Sequence, residues 1–175
     1  MGDLLVSSAL RTSVDVLCDW RRLGRYRVIE IIDQLLNLKL TTQAAIGAAL
    51  AASHQRGVVR ARELLVDTEP LAESGQETRL RLIIVDGGLP RPKAQWVVLD
   101  ANGDFVATCD LGYDDVDLGL EYHGKDHAAQ LAYDWDRAGA IVVRGNARVL
   151  AFTAEHLRVP QNVVRRVRQA RADRS

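Results

Sequence analysis

Two acidic residues, Asp110 and Glu121, have the types and spacing needed to hold a divalent cation. Ten residues separate them, and they belong to two strand-like runs, 105–110 and 117–123. Carboxylate and carbonyl oxygens are the hard ligands that Mg²⁺ prefers, and Mg²⁺ keeps several waters and needs few protein ligands. The sequence therefore predicts a Mg²⁺ (or Mn²⁺) site formed by Asp110, Glu121 and the backbone carbonyl of Tyr122.

Alternation along the two runs places both acids away from the apolar side chains. Successive side chains of a strand point to opposite faces, so Asp110 faces away from Cys109, and Glu121 shares a face with Gly119 and His123. If the runs form neighbouring strands, about 4.8 Å apart, a suitable register brings the two carboxylates together. Gly119 is then expected to leave room beside them.

A third carboxylate, Glu77, lies on the apolar side of a predicted helix over 73–85. At roughly 100° per residue, Glu77 is about 20° from Ile84 around the helix axis. A carboxylate in that position is costly unless it is paired, hydrogen-bonded or bound to a metal, which favours a place for Glu77 in the site. The alternative is a role at the helix start, where an acidic side chain interacts favourably with the helix dipole.

Phosphodiester hydrolysis is the chemistry that suits such a set of residues. A bound Mg²⁺ can activate a water, neutralise charge on the phosphate and stabilise the leaving oxygen. Histidine titrates near neutral pH, so His123 can orient or deprotonate the attacking water; its alternative is a hydrogen-bonding role on the strand. The neighbouring acids Asp114, Asp115 and Asp117 are interpreted as a solvated acidic loop.

Composition limits the classes of protein to which the chain can belong. Its 175 residues are 47% hydrophobic, which suits a globular protein with one sizeable core. Basic and acidic residues are equal in number, 23 each, so any nucleic-acid contact must come from local patches. The two cysteines lack metal-ligand spacing, which favours reduced thiols in a cytoplasmic protein. Neither a secretory signal nor an apolar stretch long enough for the membrane is recognised.

Hydrophobic periodicity divides the chain into a helical subdomain over 1–70, an α/β domain over 73–158 and a basic C-terminal helix or tail over 159–175. The other helices are predicted over 14–23, 26–38, 43–53, 58–66 and 126–143. Ser13 is the predicted cap of the first of these, and Thr41 or Thr42 is the predicted start signal for the helix over 43–53. The strands are predicted over 93–99, 105–110, 117–123 and 148–152. Asn102 and Gly103 are expected to supply the left-handed positions of a hairpin turn.

Several short motifs follow one another in a fixed order over 73–158. They are ETRLRL from Glu77, GLPRP from Gly88, DLGY from Asp110, EYHG from Glu121 and RVLAFTA from Arg148. Together they resemble the very-short-patch-repair-like, restriction-endonuclease-like (PD-(D/E)XK) domain of actinobacterial proteins of the abortive-infection antitoxin type. The helical stretch before them is similar to the linker region that such proteins carry.

The resemblance implies a central mixed sheet flanked by helices, with an active site where two central strands diverge. It implies that Asp110 and Glu121 are the metal-binding acids and that Glu77 is the acid carried by a helix. His123 stands where the broad superfamily has lysine and where this family is expected to have aspartate. Lys125, two residues further on, is a candidate substitute for that lysine.

Two functions are therefore expected as alternatives. The first is a Mg²⁺-dependent endonuclease that hydrolyses DNA, in DNA repair or phage defence, with arginines such as Arg79, Arg81 and Arg91 contacting phosphates. The second is a catalytically inactive regulator with a nuclease-like fold, of antitoxin or transcriptional type, that binds DNA or a protein partner. The absence of lysine at position 123 motivates the second. The sequence leaves the oligomeric state open.

Overall fold

The computed structural model describes residues 6–124, 141 and 143–173, and the chain divides into two compact units, Met1–Thr78 and Arg79–Ser175. The division falls inside a helix. The bounds 1–70, 73–158 and 159–175 given by the sequence stay predictions. Most of the predicted helix over 126–143, together with Lys125 and His127, lies outside the described residues.

The described part of the first unit is helical. Its helices, with the one that continues past the division, are α1 (Ala9–Cys18), α2 (Trp20–Leu23), α3 (Arg25–Asn37), α4 (Gln43–Ala52), α5 (Val58–Val66) and α6 (Gly75–Asp86). Apolar side chains spaced three or four residues apart form its core, because that spacing gathers them on one side of each helix. Those with no exposed surface include Leu17, Ile29, Ile32, Ile46, Leu50 and Leu64.

The first helix begins earlier than the sequence predicts. Ser8 is its N-cap and accepts a hydrogen bond from the Arg11 backbone N–H at 3.2 Å. Ser13, the predicted cap, is buried, and its hydroxyl donates to the Ala9 carbonyl at 2.8 Å. The chain then breaks at Asp19, so one predicted helix is two. The cap predicted near Thr41 or Thr42 is confirmed at Thr42, which accepts from the Ala45 N–H at 3.1 Å.

The second unit contains a mixed four-stranded sheet in the described residues. Its strands, in the spatial order β1-β2-β3-β4, are β1 (Lys93–Leu99), β2 (Phe105–Tyr113), β3 (Leu118–Tyr122) and β4 (Arg148–Phe152). The first three are antiparallel neighbours, and β3 pairs with β4 in parallel. A 3₁₀ turn (Asp114–Val116) precedes β3, and α7 (Ala154–Leu157) and α8 (Pro160–Ala172) follow β4. The prediction of a helical part followed by a mixed α/β part is confirmed.

Two local predictions in the sheet are wrong. Strand β2 does not end at Asp110 but continues to Tyr113, and Asp117 precedes β3 in a left-handed conformation (φ 42°). In the β1–β2 turn only Gly103 is left-handed (φ 86°), whereas Asn102 is not. The Asp100 carboxylate stabilises that turn by accepting from the backbone N–H groups of Asn102 at 2.9 Å and Asp104 at 3.0 Å.

The glycines of β2 and β3 have no space for a side chain. A Cβ on Gly112 would lie 2.6 Å from the Trp96 Cβ, and one on Gly119 would lie 2.6 Å from the Cys109 Sγ. Because Gly112 and Gly119 are paired, they share a face, and both Trp96 and Cys109 cover it. Cys109 and Gly112 thus face the same side of the sheet. They are three positions apart, and in a regular strand such residues face opposite sides, so alternation breaks beside Asp110. On β1, Gln95 is left-handed at the same level (φ 49°).

Gly112→Ala is therefore expected to destabilise the second unit by about 1–3 kcal/mol, as overpacking of a filled core does. Gly47→Ala is the matched control, because a Cβ there meets only the Leu65 side chain at an ordinary 3.6 Å, and alanine is favoured over glycine within a helix. Denaturant unfolding of both variants checks this. Equal stability of Gly112→Ala and wild type would contradict the close packing at Trp96.

Candidate functional site

The register of β2 and β3 brings Asp110 and Glu121 to the same level of the sheet. Leu111 pairs with Leu120, and the two acids are the next residues outward on each strand. There the Asp110 carboxylate takes the place of a backbone acceptor, since its Oδ2 accepts from the Tyr122 N–H at 2.7 Å. The prediction that the two runs form neighbouring strands is confirmed, and Asp110 itself links them.

The sequence predicts that Glu121 faces away from the apolar side chains, but in the structure it is buried. Residues 118–121 are all buried, because β3 lies between β2 and β4, and Glu121 is only 9% exposed. The space expected beside Gly119 is filled by Cys109 and Trp96. Glu121 therefore presents its carboxylate from a closely packed strand, and that packing limits its rotamers.

His123 lies next to Glu121 at the more open end of this group. Its Nε2 is 3.3 Å from Glu121 Oε2, and its side chain is 36% exposed. The His123 backbone is held by a hydrogen bond from its N–H to the Phe152 carbonyl at 2.7 Å. The structure thus brings together Asp110, Glu121 and His123, with the imidazole nearest to solvent. The metal-binding role assigned to the Tyr122 carbonyl stays a prediction.

Glu77 belongs to the first unit, where it takes part in the start of α6. Its Oε2 accepts from the Glu73 N–H at 2.9 Å, and its own N–H donates to Ser74 Oγ at 3.2 Å. This arrangement resembles a capping box, except that the Glu77 carboxylate accepts from Glu73 and not from Ser74. It is the helix-start role that the sequence left open. The catalytic role of Glu77 stays a prediction.

The acids of the 3₁₀ turn are engaged by neighbouring side chains. Asp114 accepts from the Trp96 indole at 2.7 Å and pairs with Lys93. Asp115 forms a bidentate pair with Arg171, at 3.1 and 2.6 Å. The hydrogen bond from Lys93 holds the pKa of Asp114 below its ordinary value, and the one from Arg171 does the same for Asp115. Asp114 and Asp115 are exposed, as a solvated loop requires, but both are also paired with neighbouring side chains.

Arg171 also joins the loop to the sheet. Its guanidinium lies 4.2 Å from the centre of the Tyr113 ring, a cation–π distance. The Tyr113 hydroxyl donates to the Pro90 carbonyl at 2.7 Å, and burial raises the pKa of Tyr113 to about 12. The sequence analysis missed this contact between α8 and the sheet. The apolar spacing of Val163, Val167 and Ala170 was the available signal for a packed helix.

One of the arginines proposed to contact phosphates is wrong for that role. Arg81 is 1% exposed and cannot reach a macromolecule without unfolding of α6, whereas Arg91 is exposed and Arg79 is half-buried.

Asp110, Glu121 and His123 lie close in the sheet but are not placed to hold one metal ion as a group of three. In the described part of the chain, no group of three or more His, Cys, Asp or Glu side chains is placed to hold a metal ion. The cation site predicted at Asp110, Glu121 and the Tyr122 carbonyl stays a prediction. Within the described ranges, every helix is too short or too polar to cross a membrane.

Comparisons with known proteins give relatives but no family. The chain is 30% identical over 145 residues to two proteins of Mycobacterium tuberculosis, "Uncharacterized protein MT2308" of strain CDC 1551 / Oshkosh and "Uncharacterized protein Rv2248" of strain ATCC 25618 / H37Rv. The match covers 82% of this chain and 49% of each relative, so the chain spans about half the length of the curated relatives it matches. No family model and no solved structure matches the chain.

Proposed function

We propose that the protein is a divalent-metal-dependent nuclease that hydrolyses DNA phosphodiesters at Asp110 and Glu121. The observation that carries this proposal is the register of β2 and β3, which sets the two acids side by side just beyond the pair Leu111 and Leu120. The hydrogen bond from Tyr122 to Asp110 holds one of the two carboxylates in place, and burial restrains the other.

The proposed fold is the restriction-endonuclease-like one. Its support is a mixed sheet in which three antiparallel strands are followed by a parallel one. The acids lie where backbone pairing between the two central strands, β2 and β3, gives way to a side-chain contact.

The donor set fits Mg²⁺ or Mn²⁺, because two carboxylates on neighbouring strands offer hard oxygens to a cation that otherwise keeps its waters. When bound, Mg²⁺ would supply charge neutralisation on the phosphate and activation of water. His123 acts as the base that accepts the proton of the attacking water. Glu121, whose Oε2 lies 3.3 Å from His123 Nε2, orients the imidazole.

Incubation of the full chain with supercoiled plasmid tests the proposal. Nicked and linear products are expected with Mg²⁺ or Mn²⁺ and not with EDTA, and Asp110→Ala and Glu121→Ala are expected to remove the activity. Cleavage that persists in both variants would contradict the proposal.

A catalytically inactive regulator is the second candidate, and His123 in place of lysine is the observation that favours it. That function predicts retention of labelled DNA or of a protein partner with no nicking at any metal concentration. Metal-dependent nicking that is lost in the Asp110 and Glu121 variants would reject it.

A further inference from the structure

The four arginines of α8 fall into two pairs with different surroundings. Helix α8 contains no acidic residue, and one side of it is buried through Val163, Val167 and Ala170. At about 100° per residue, Arg166 and Arg171 flank this buried stripe, and both contact aromatic rings. Arg166 lies 4.9 Å from the centre of the Phe152 ring, and Arg171 lies over Tyr113 and pairs with Asp115.

The other pair, Arg165 and Arg168, occupies the outer face. Around the helix axis, both lie within about 50° of the direction opposite the buried stripe. Along the axis they are about 4.5 Å apart, and both are exposed. Arg165 donates to Asn162 Oδ1 at 3.0 Å and Arg168 to the Gly87 carbonyl at 3.1 Å. Neither forms an ion pair with any carboxylate of the residues described, and each guanidinium has more N–H donors than the one bond uses.

Charge along the second unit is strongly asymmetric. Residues 158–175 contain six arginines and one aspartate, whereas residues 79–157 contain twelve acidic and eight basic residues. A neutral chain can thus carry a local positive surface, and in the second unit the basic residues are concentrated at α8. The acids around the candidate site would otherwise repel a polyanion, so a separate positive contact is needed to hold one.

We infer that the outer face of α8, defined by Arg165 and Arg168, is a binding surface for the phosphate backbone of DNA. The inference rests on the proposed function for its choice of DNA as the polyanion. Guanidinium groups bind phosphate oxygens with paired N–H donors. Gln161 and Gln169 are exposed beside the two arginines and add neutral donors. Binding of this kind positions the nucleic acid and is independent of its base sequence.

Fluorescence anisotropy of a labelled 20-base-pair duplex in EDTA, with the full chain and a salt series, tests the inference. Each phosphate contact contributes about 0.9 to the slope of log K against log salt. Arg165→Gln with Arg168→Gln should therefore lower that slope by about 1.8. Between 50 and 200 mM salt, the wild type should lose roughly tenfold more affinity than this variant.

The matched control is Arg21→Gln with Arg22→Gln, which removes two exposed arginines from the first unit and should leave the slope unchanged. Arg165→Gln alone should lower the slope by half as much. Because Arg165 donates to Asn162 of the same helix, this variant breaks none of the described hydrogen bonds between α8 and another segment, and it therefore guards against a folding defect. An unchanged slope in the double α8 variant, or an equal loss in the control, would overturn the inference. So would a loss of binding seen with anionic lipid vesicles but not with the duplex.

Binding in EDTA requires no hydrolysis, so the two proposals fail separately. A chain that binds DNA through α8 but never nicks plasmid keeps this surface and loses the proposed nuclease activity. A chain that nicks plasmid while Arg165 and Arg168 make no contribution to binding keeps the nuclease and loses this surface.

Discussion

Asp110→Asn is expected to lower Mg²⁺-dependent cleavage of DNA by about 10³-fold while leaving the fold intact. The substitution removes the negative charge that holds the cation but keeps an oxygen able to accept from the Tyr122 N–H. Metal-assisted charge stabilisation is worth several kcal/mol in the transition state, and each 1.36 kcal/mol corresponds to about tenfold in rate. Single-turnover cleavage of plasmid, measured beside thermal unfolding, checks both parts of this expectation.

Asp104→Asn is the matched control for charge, because Asp104 is an exposed acid of the same hairpin and is not part of the proposed site. Its cleavage rate should equal that of the wild type. Asp110→Ala should lose cleavage and also about 1 kcal/mol of stability, since the Tyr122 N–H loses its acceptor. Full activity of Asp110→Asn would exclude Asp110 as a metal ligand.

Asp33→Ala is expected to have the largest effect on stability in the first unit. Asp33 has no exposed surface and accepts from the Glu69 N–H at 2.7 Å and from Thr78 Oγ1 at 2.8 Å. Removing the carboxylate leaves two donors without this acceptor, at a cost of about 1–3 kcal/mol for each buried group. We expect a loss of about 2–5 kcal/mol in the free energy of unfolding, measured by urea denaturation.

Asp33→Asn separates hydrogen bonding from charge at the same position. The amide oxygen can still accept from the Glu69 N–H, and the amide N–H₂ can donate to Thr78 Oγ1, whose own proton can go to the Ser74 carbonyl. With similar volume and both contacts kept, the loss should be clearly smaller than for alanine. If alanine and asparagine cost the same, the hydrogen bonds to Glu69 and Thr78 do not stabilise the unit, and the charge of Asp33 alone is responsible.

The parts of the fold that follow from local periodicity could be predicted. The strands over 93–99 and 148–152 have the predicted bounds, because β-branched and aromatic residues cluster there between turn residues. Neighbouring placement of the runs that carry Asp110 and Glu121 also follows from the sequence, since consecutive strands usually lie side by side.

The parts that depend on packing could not be predicted. The sequence predicts Ser13 as the first cap, and only the structure shows that Ser13 is buried and that Ser8 is the cap instead. Gly112 lies beyond the predicted run over 105–110, and the sequence does not show that the Trp96 side chain fills the space that a Cβ would take there. Gln95 adopts a left-handed conformation, which its residue type does not favour. The sequence therefore gives no local signal for the break in alternation beside Asp110.

In the candidate site, too, some features follow from the sequence and others depend on packing. Strand parity and spacing select Asp110, Glu121 and His123, and the contact between His123 and Glu121 follows from their separation by two residues on one strand. The buried state of Glu121 does not follow, because it requires knowing that β3 is covered on both sides. The pairing of Asp115 with Arg171 joins residues far apart in the chain and has no signature in local sequence.

Calorimetric titration of the full chain with Mn²⁺ tests most directly whether Asp110 and Glu121 form one cation site. We expect one Mn²⁺ to bind in the wild type and in Asp115→Asn, whose carboxylate is engaged with Arg171 away from the site. Asp110→Asn and Glu121→Gln should each abolish that binding, because each removes one of the two carboxylates. Mn²⁺ binding that is unchanged in both of these variants would contradict a shared site.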